Sequence, residues 1–261
     1  MRHQGKPMVV AGQPAAGPVE EFKRLVWMRR NEMARLFPGV GGQAMAERMI
    51  AVAAQGYRRL LDQTDQAVDP RSVMNCVLFA AQLGLEAGTD EAYLVPYKGQ
   101  AQLIVGPAGL IQVAYRSELV RSVVAECVRE SDMFEYQLGD PEFIRHRKAE
   151  GDRGELTYAY AIVETTLGGR IRKVLTAQDV AMYRKFSKAS KGPWFDNTEG
   201  MWRKTALKRC LQYAPRNRLL QLALQEDDHG GALVTEGSPV VEVHPTPATG
   251  TEVPPREPGE D

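Results

Sequence analysis

Apolar residues recur at helical spacing through the first third of the chain, alternate over short runs in the middle, and return to helical spacing near residue 200. Residues 1–18 are rich in Gly, Pro and Ala without any period, which predicts disorder. From Val19 to Phe37 the apolar set Phe22, Leu25, Val26, Met33 and Leu36 predicts one helix, stopped at Pro38. A second helix is expected from Gln43 to Leu61. A third opens at Asp69-Pro70, is strongly apolar from Ser72 to Leu83, and ends at Gly84 and Gly88.

The period then changes. Glu91–Val95 and Gln100–Val105 read as strands joined by Pro96-Tyr97-Lys98-Gly99, a hairpin signal. Pro107–Ser117 reads as a helix, and Leu119–Glu130, Met133–Leu138, Leu156–Thr166 and Ile171–Leu175 read as strands. Thr176 is placed to cap a helix running from Ala177 to about Lys185. A basic helix is expected over residues 199–214, with Asn217–Gln225 continuing it. The fold class this predicts is α+β: a small antiparallel sheet with a β-hairpin, flanked by helices. Three regions follow: disordered residues 1–18, a core over 19–225, and an acidic disordered tail over 226–261.

Charge sharpens this division. The 261 residues carry a formal net charge of zero, which by itself argues against a polyanion as ligand. Residues 226–261 contain nine acidic residues and one basic residue, whereas residues 1–225 contain 32 basic and 24 acidic. Between Arg170 and Arg218 the balance is 13 basic to three acidic. The zero is a cancellation between a cationic body and an anionic tail. Cys76, Cys127 and Cys210 are far apart in apolar runs, and neither they nor the four histidines show metal-ligand spacing. Buried free thiols in a reducing cytoplasm are expected. No run of apolar residues is long enough for a membrane span.

The segment Met201–Pro215, MWRKTALKRCLQYAP, concentrates the cations. On a helical wheel Trp202, Ala206, Leu207, Cys210, Leu211, Tyr213 and Ala214 fill one half. Lys204, Thr205, Lys208, Arg209 and Gln212 fill the other, and Arg203 falls on the apolar side. Such a helix, docked by its apolar half, offers an open cationic face to an extended anion such as nucleic acid. Just before it, Arg184, Lys185, Lys188 and Lys191 surround Phe186 and lead through Gly192 into Pro193-Trp194-Phe195. This run reads as a basic loop lining the same groove, with Trp194 either a core anchor or a stacking platform for bases. In Gly106-Pro107-Ala108-Gly109 the glycines permit close backbone approach, a strand-to-helix packing turn, while Arg116 and Ser117 at the far end of that helix could contact phosphate.

Several chemistries lack their motifs. There is no phosphate-binding G-x-x-x-x-G-K-[ST] loop, no G-x-S-x-G elbow and no local Cys/His dyad. Glu126, Glu130, Asp132 and Glu135 read as a solvated sheet edge rather than a metal cluster. No covalent catalysis is expected, and no cofactor; a need for magnesium does not follow from the sequence.

Five blocks in order carry a resemblance. They are QLGLEAGTDEAYLVPYKGQ (82–100), GPAGLIQVAYRSELV (106–120), ECVRESDMFEYQLG (126–139), LTYAYAIVETTLGG (156–169) and GPWFDNTEGMWRKTALKRCLQYAP (192–215). Together they resemble the RecT family of phage and prophage single-strand annealing proteins. Pro107 and Glu118 depart from that family's usual pattern, which often has Gly after Arg-Ser. The resemblance implies ATP-independent binding of single-stranded DNA and annealing of complementary strands through a duplex intermediate. It also implies homo-oligomeric rings or filaments, and a bacterial cytoplasmic setting beside a phage exonuclease and a host single-strand-binding protein. It places DNA binding on Lys204, Thr205, Lys208 and Arg209, then on Arg116 and Ser117. A strand-protecting module without annealing activity, and a metal-dependent nuclease, are the alternatives.

Overall fold

The helical period of the first third folds into four helices in a computed structural model of the protein, which describes residues 17–37, 41–185, 193–215 and 217–228. The helix expected from Val19 to Phe37 is two: α1 (Pro18–Met28) and α2 (Arg30–Arg35). Arg29 between them leaves the helical region at φ −98°, ψ 5°, and its guanidinium pairs with Glu32. Next come α3 (Gly42–Leu61) and α4 (Pro70–Leu83). The Asp69 carboxylate accepts from the Arg71 amide at 2.9 Å and caps α4, and Gly84 ends it at φ +69°. Phe22, Val26, Ala53, Tyr57, Leu60, Val73, Cys76 and Ala80 bury the inner faces of these helices.

The hairpin of β1 (Ala92–Tyr97) and β2 (Gln100–Val105) forms where the turn signal predicts it, and leads into α5 (Pro107–Tyr115). Its glycines behave as packing glycines. A Cβ on Gly106 would lie 1.9 Å from the Asp90 carbonyl oxygen, and one on Gly109 would lie 2.2 Å from that of Glu91.

The remaining strands are β3 (Val120–Arg129), β4 (Met133–Gln137), β5 (Phe143–Arg147), β6 (Leu156–Thr165) and β7 (Arg170–Thr176). The expected small antiparallel sheet and β-hairpin are present as a sheet in the order β3-β6-β7 and a β1–β2 ribbon, together with a second ribbon, β4–β5. Sequence pattern alone did not predict β5. Its alternation gains meaning only once the hairpin is closed, with Ile144 opposite Tyr136 and His146 opposite Phe134. The hairpin lays Phe134 and Ile144 on one face of the three-stranded sheet, against Val128, Tyr160 and Val174. The Phe134 and Tyr160 rings stack with centroids 5.7 Å apart.

The opposite face, with Cys127, Ala159, Ala161, Val163 and Leu175, belongs to the main core that also holds Ala206, Leu207, Cys210 and Leu211 of α8 (Thr198–Leu211). Before it lie α6 (Ala177–Lys185) and the short α7 (Pro193–Asp196). Thr176 and Asp179 cap α6 reciprocally, and Asn197 caps α8 through the Gly200 amide at 3.0 Å. The chain leaves helical geometry after Gln212 and resumes as a separate helix, α9 (Arg218–Asp228), which packs on α4, α5 and β2. Helix α9 runs past Gln225, where the body was expected to end, and Glu226 within it is fully buried. Residues 1–16 and 229–261 of the two expected disordered segments lie outside the described residues.

Candidate nucleic-acid interface

Helix α8 is the centre of the site, and it is less open than its wheel suggests. Its apolar half, Tyr213 excepted, docks on the β3-β6-β7 sheet as expected: the Cys210 thiol lies 3.3 Å from the Ile171 carbonyl oxygen and 3.6 Å from that of Ala161, while Tyr213 lies past the end of the helix and is exposed. The cationic half is covered too. Lys204 Nζ lies 2.6 Å from Asp227 Oδ1, and Lys208 Nζ lies 2.7 Å from Asp227 Oδ2 and 2.8 Å from Asp228 Oδ1. Only 11% of each lysine side chain and 8% of Asp227 remain exposed. The expectation of an open cationic face on α8 is therefore corrected. The last turn of α9 closes it with carboxylates that the sequence had assigned to the tail. Burial opposes ionisation of Asp227, but the two ammonium groups outweigh it and hold its carboxyl below the ordinary value.

The other residues of the helix divide. Thr205 donates its hydroxyl to the Met201 carbonyl at 2.7 Å, one turn back in the helix. Arg203 is half exposed and pairs with Glu199 at 3.2 Å, which also takes Arg129 at 2.7 Å. Arg209 is the distinct one. Its guanidinium sits over the Tyr183 ring, 4.3 Å from the centroid, and Nη1 donates to Gln212 at 3.2 Å. Among the described residues Arg209 makes no ion pair, and its buried Nε has no hydrogen-bond acceptor.

Arg116 lies apart from this group by its contacts. Its Nη1 donates to the Leu83 carbonyl at 2.9 Å, over Gly84, at the negative end of α4. Ser117 serves a local turn, donating to the Ala114 carbonyl at 2.6 Å and accepting from the Leu119 amide at 3.2 Å. Lys185 is exposed at the end of α6, while Lys188 and Lys191 lie outside the described residues. Trp194 packs against the main core, which favours the anchor role. Its neighbour Phe195 is the exposed ring, at 52%, with the Arg184 guanidinium 4.7 Å over its centroid. Tyr213, 70% exposed, carries Lys173 in the same way at 5.8 Å. Sequence reading missed Tyr183, Phe195, Tyr213 and Lys173 as a set. Only the fold brings α6, α7, β7 and the end of α8 together to make three cation–aromatic pairs.

The sequence matches the RecT family over residues 43–239, a span that contains all of these residues. It is 34% identical over 194 residues to Protein RecT of Escherichia coli (strain K12), covering 70% of this chain and 71% of that protein. The chain belongs to the RecT family. A second relative, the uncharacterized protein YqaK of Bacillus subtilis (strain 168), is 31% identical over 172 residues, covering 64% of this chain and 60% of that protein. Membership in the RecT family supports a recombination-related role in annealing single-stranded DNA.

The acidic residues of this RecT-family chain near β3 and β4 are engaged by cations and amides. The Asp132 side chain is not solvated, as the sequence suggested, but covered by its partners, with none of its surface exposed although the residue as a whole is half-buried. Arg153 donates to both its oxygens, His146 Nε2 lies at 3.1 Å, and the amides of Ala149 and Arg129 each donate at 2.9 Å. Arg153 first, then these amides and His146, hold its carboxyl far below the ordinary range against the cost of burial. Glu126 pairs with Lys148 at 3.1 Å and Glu135 with Arg145 at 3.4 Å. Among the described residues no group of three or more His, Cys, Asp or Glu side chains could hold a metal ion, and no helix is long and apolar enough to cross a membrane. The three thiols are buried; burial first raises that of Cys210 to about 12 and that of Cys127 to about 11.

Proposed function

We propose that this protein binds single-stranded DNA along α8 and anneals it to its complement as a homo-oligomer, without nucleotide hydrolysis or covalent catalysis. The observation that carries the reading is the convergence of Lys204 and Lys208 on the two oxygens of one carboxylate. A backbone phosphate also presents two charged oxygens, so the same pair of ammonium groups suits it. Arg209, held over Tyr183 with donors to spare, supplies a further phosphate contact one residue along the helix. The exposed rings of Phe195 and Tyr213 offer sequence-tolerant stacking surfaces, each worth ~1–3 kcal/mol per base where such stacking occurs.

Pairing of the strands itself supplies the driving energy, ~1.4 kcal/mol per base-pair step on average. The protein's part is to open hairpins, neutralise the backbone and concentrate strands, with protomers side by side so that successive α8 helices form one track. The setting is a bacterial cytoplasm, and a phage exonuclease or a host single-strand-binding protein is the partner proposed for the acidic sequence after Asp228.

The test uses two complementary oligonucleotides, one carrying a fluorophore and the other a quencher, with no ATP. Acceleration of quenching over the spontaneous rate is expected. Tight binding with no acceleration would instead assign a strand-protecting role. The nuclease alternative is disfavoured by the cations on Asp132, Glu126 and Glu135.

A further inference from the structure

Asp227 holds the position that a phosphate would need. Its two oxygens take one ammonium group each, and Asp228 adds a second carboxylate to Lys208. Both acids sit at the C-terminal end of α9, where the helix carbonyls repel negative charge, and no basic residue in that last turn compensates. Their stabilisation comes from another element, α8. The rest of α9 is anchored independently, by Leu220, Ala223 and Leu224 in the main core. Displacing the two carboxylates therefore requires only the end of α9 to fray, leaving the helix packed on α4, α5 and β2.

We propose that Asp227, assisted by Asp228, is an internal competitor for the anion site of Lys204 and Lys208, so that single-stranded DNA binds by displacing the end of α9. The proposal rests on the reading of α8 as the DNA-binding helix. It makes the carboxylate pair a switch: closed, the lysines are neutralised and α9 is clasped to α8; open, both lysines face phosphate and the end of α9 is released. The sequence beyond Asp228 remains acidic, with six more carboxylate residues against the single Arg256, so the released end carries its charge away from a bound strand.

The experiment measures affinity of the full chain for a fluorescein-labelled oligothymidylate by anisotropy. The proteins compared are wild type, Asp227→Asn and Lys204→Ala/Lys208→Ala/Asp227→Asn, each checked for folding by thermal melt. Asp227→Asn keeps the shape and removes the competing charge. It should tighten binding about tenfold, the factor expected if the closed state is favoured ~10:1, and the triple variant should lose that gain. Unchanged or weaker binding by folded Asp227→Asn, with a further loss in the triple variant, would overturn the competition and leave the DNA-binding role of α8 standing. If the triple variant binds as well as Asp227→Asn, α8 is not the DNA-binding helix and both readings fall. Hydrogen exchange of wild-type amides 227 and 228 gives a second readout that needs no variant. Faster exchange with oligothymidylate bound is expected, and added protection there overturns the proposal.

Discussion

The guanidinium of Arg209 lies 4.3 Å over the ring of Tyr183, joining α8 to α6 at the one cation of the α8 cluster that makes no ion pair among the described residues. Lys204, Lys208 and Arg203 each have a carboxylate; Arg209 has an aromatic face and one amide oxygen. A guanidinium fixed in direction but short of acceptors is preorganised for an anion.

Arg209→Ala should therefore weaken single-strand binding and lower the slope of log affinity against log salt by about 0.7, the contribution of one phosphate contact on a single strand. Tyr183→Leu should keep the slope and cost about threefold in affinity, in line with ~0.5–1 kcal/mol for a partly exposed cation–aromatic pair. Titrations at four salt concentrations read both. An unaltered slope in Arg209→Ala would remove Arg209 from the backbone contacts.

The buried Asp132 carries a pH prediction. Its carboxyl is held far below the ordinary aspartate range in the folded protein, chiefly by the Arg153 guanidinium. A depressed folded value means a stabilising contribution that is complete above about pH 4 and is lost as pH falls further. Asp132→Asn should flatten the acid limb of the stability curve between pH 4 and the acid end. At neutral pH it should lower stability by leaving Arg153 without its anion and His146 without that hydrogen-bond partner. Urea melts across that range measure both, and parallel curves for the two proteins would contradict the assignment.

Glu118 adopts φ +57°, in the left-handed region, immediately after Arg116 and Ser117. A side chain there costs about 1–2 kcal/mol, partly offset for glycine by the entropy it loses on folding. Glu118→Gly should raise stability by up to about 1 kcal/mol without altering DNA affinity. A lower melting temperature for that variant would show that the Glu118 side chain contributes more than its backbone conformation costs.

Local chemistry made much of this molecule legible. Asp69 and Thr176 stand where helix starts need a cap, Gly84 where a helix needs a left-handed end, and Gly106 and Gly109 where backbone meets backbone. The break at Arg29 was not legible, because nothing in that residue's type forbids helix. Strand β5 was missed because Ile144 and His146 become an inner face only against Phe134 and the sheet behind it. In the candidate site, the positions of Lys204, Lys208 and Arg209 were visible, but what covers them was not. A wheel places charge on a helix face without revealing what packs there, and Asp227 reaches that face from a separate helix.

If the cations of α8 hold single-stranded DNA for annealing, removing them must slow the reaction. Replacing the lysines alone would leave the buried Asp227 uncompensated, at a cost of about 3 kcal/mol that confounds the result. The direct measurement is the annealing rate of Lys204→Ala/Lys208→Ala/Asp227→Asn against Asp227→Asn, both folded, by fluorescence quenching of complementary oligonucleotides. A drop of about tenfold or more is predicted, corresponding to at least ~1.4 kcal/mol of lost phosphate interaction. Equal rates in the two proteins would show that Lys204 and Lys208 take no part in annealing.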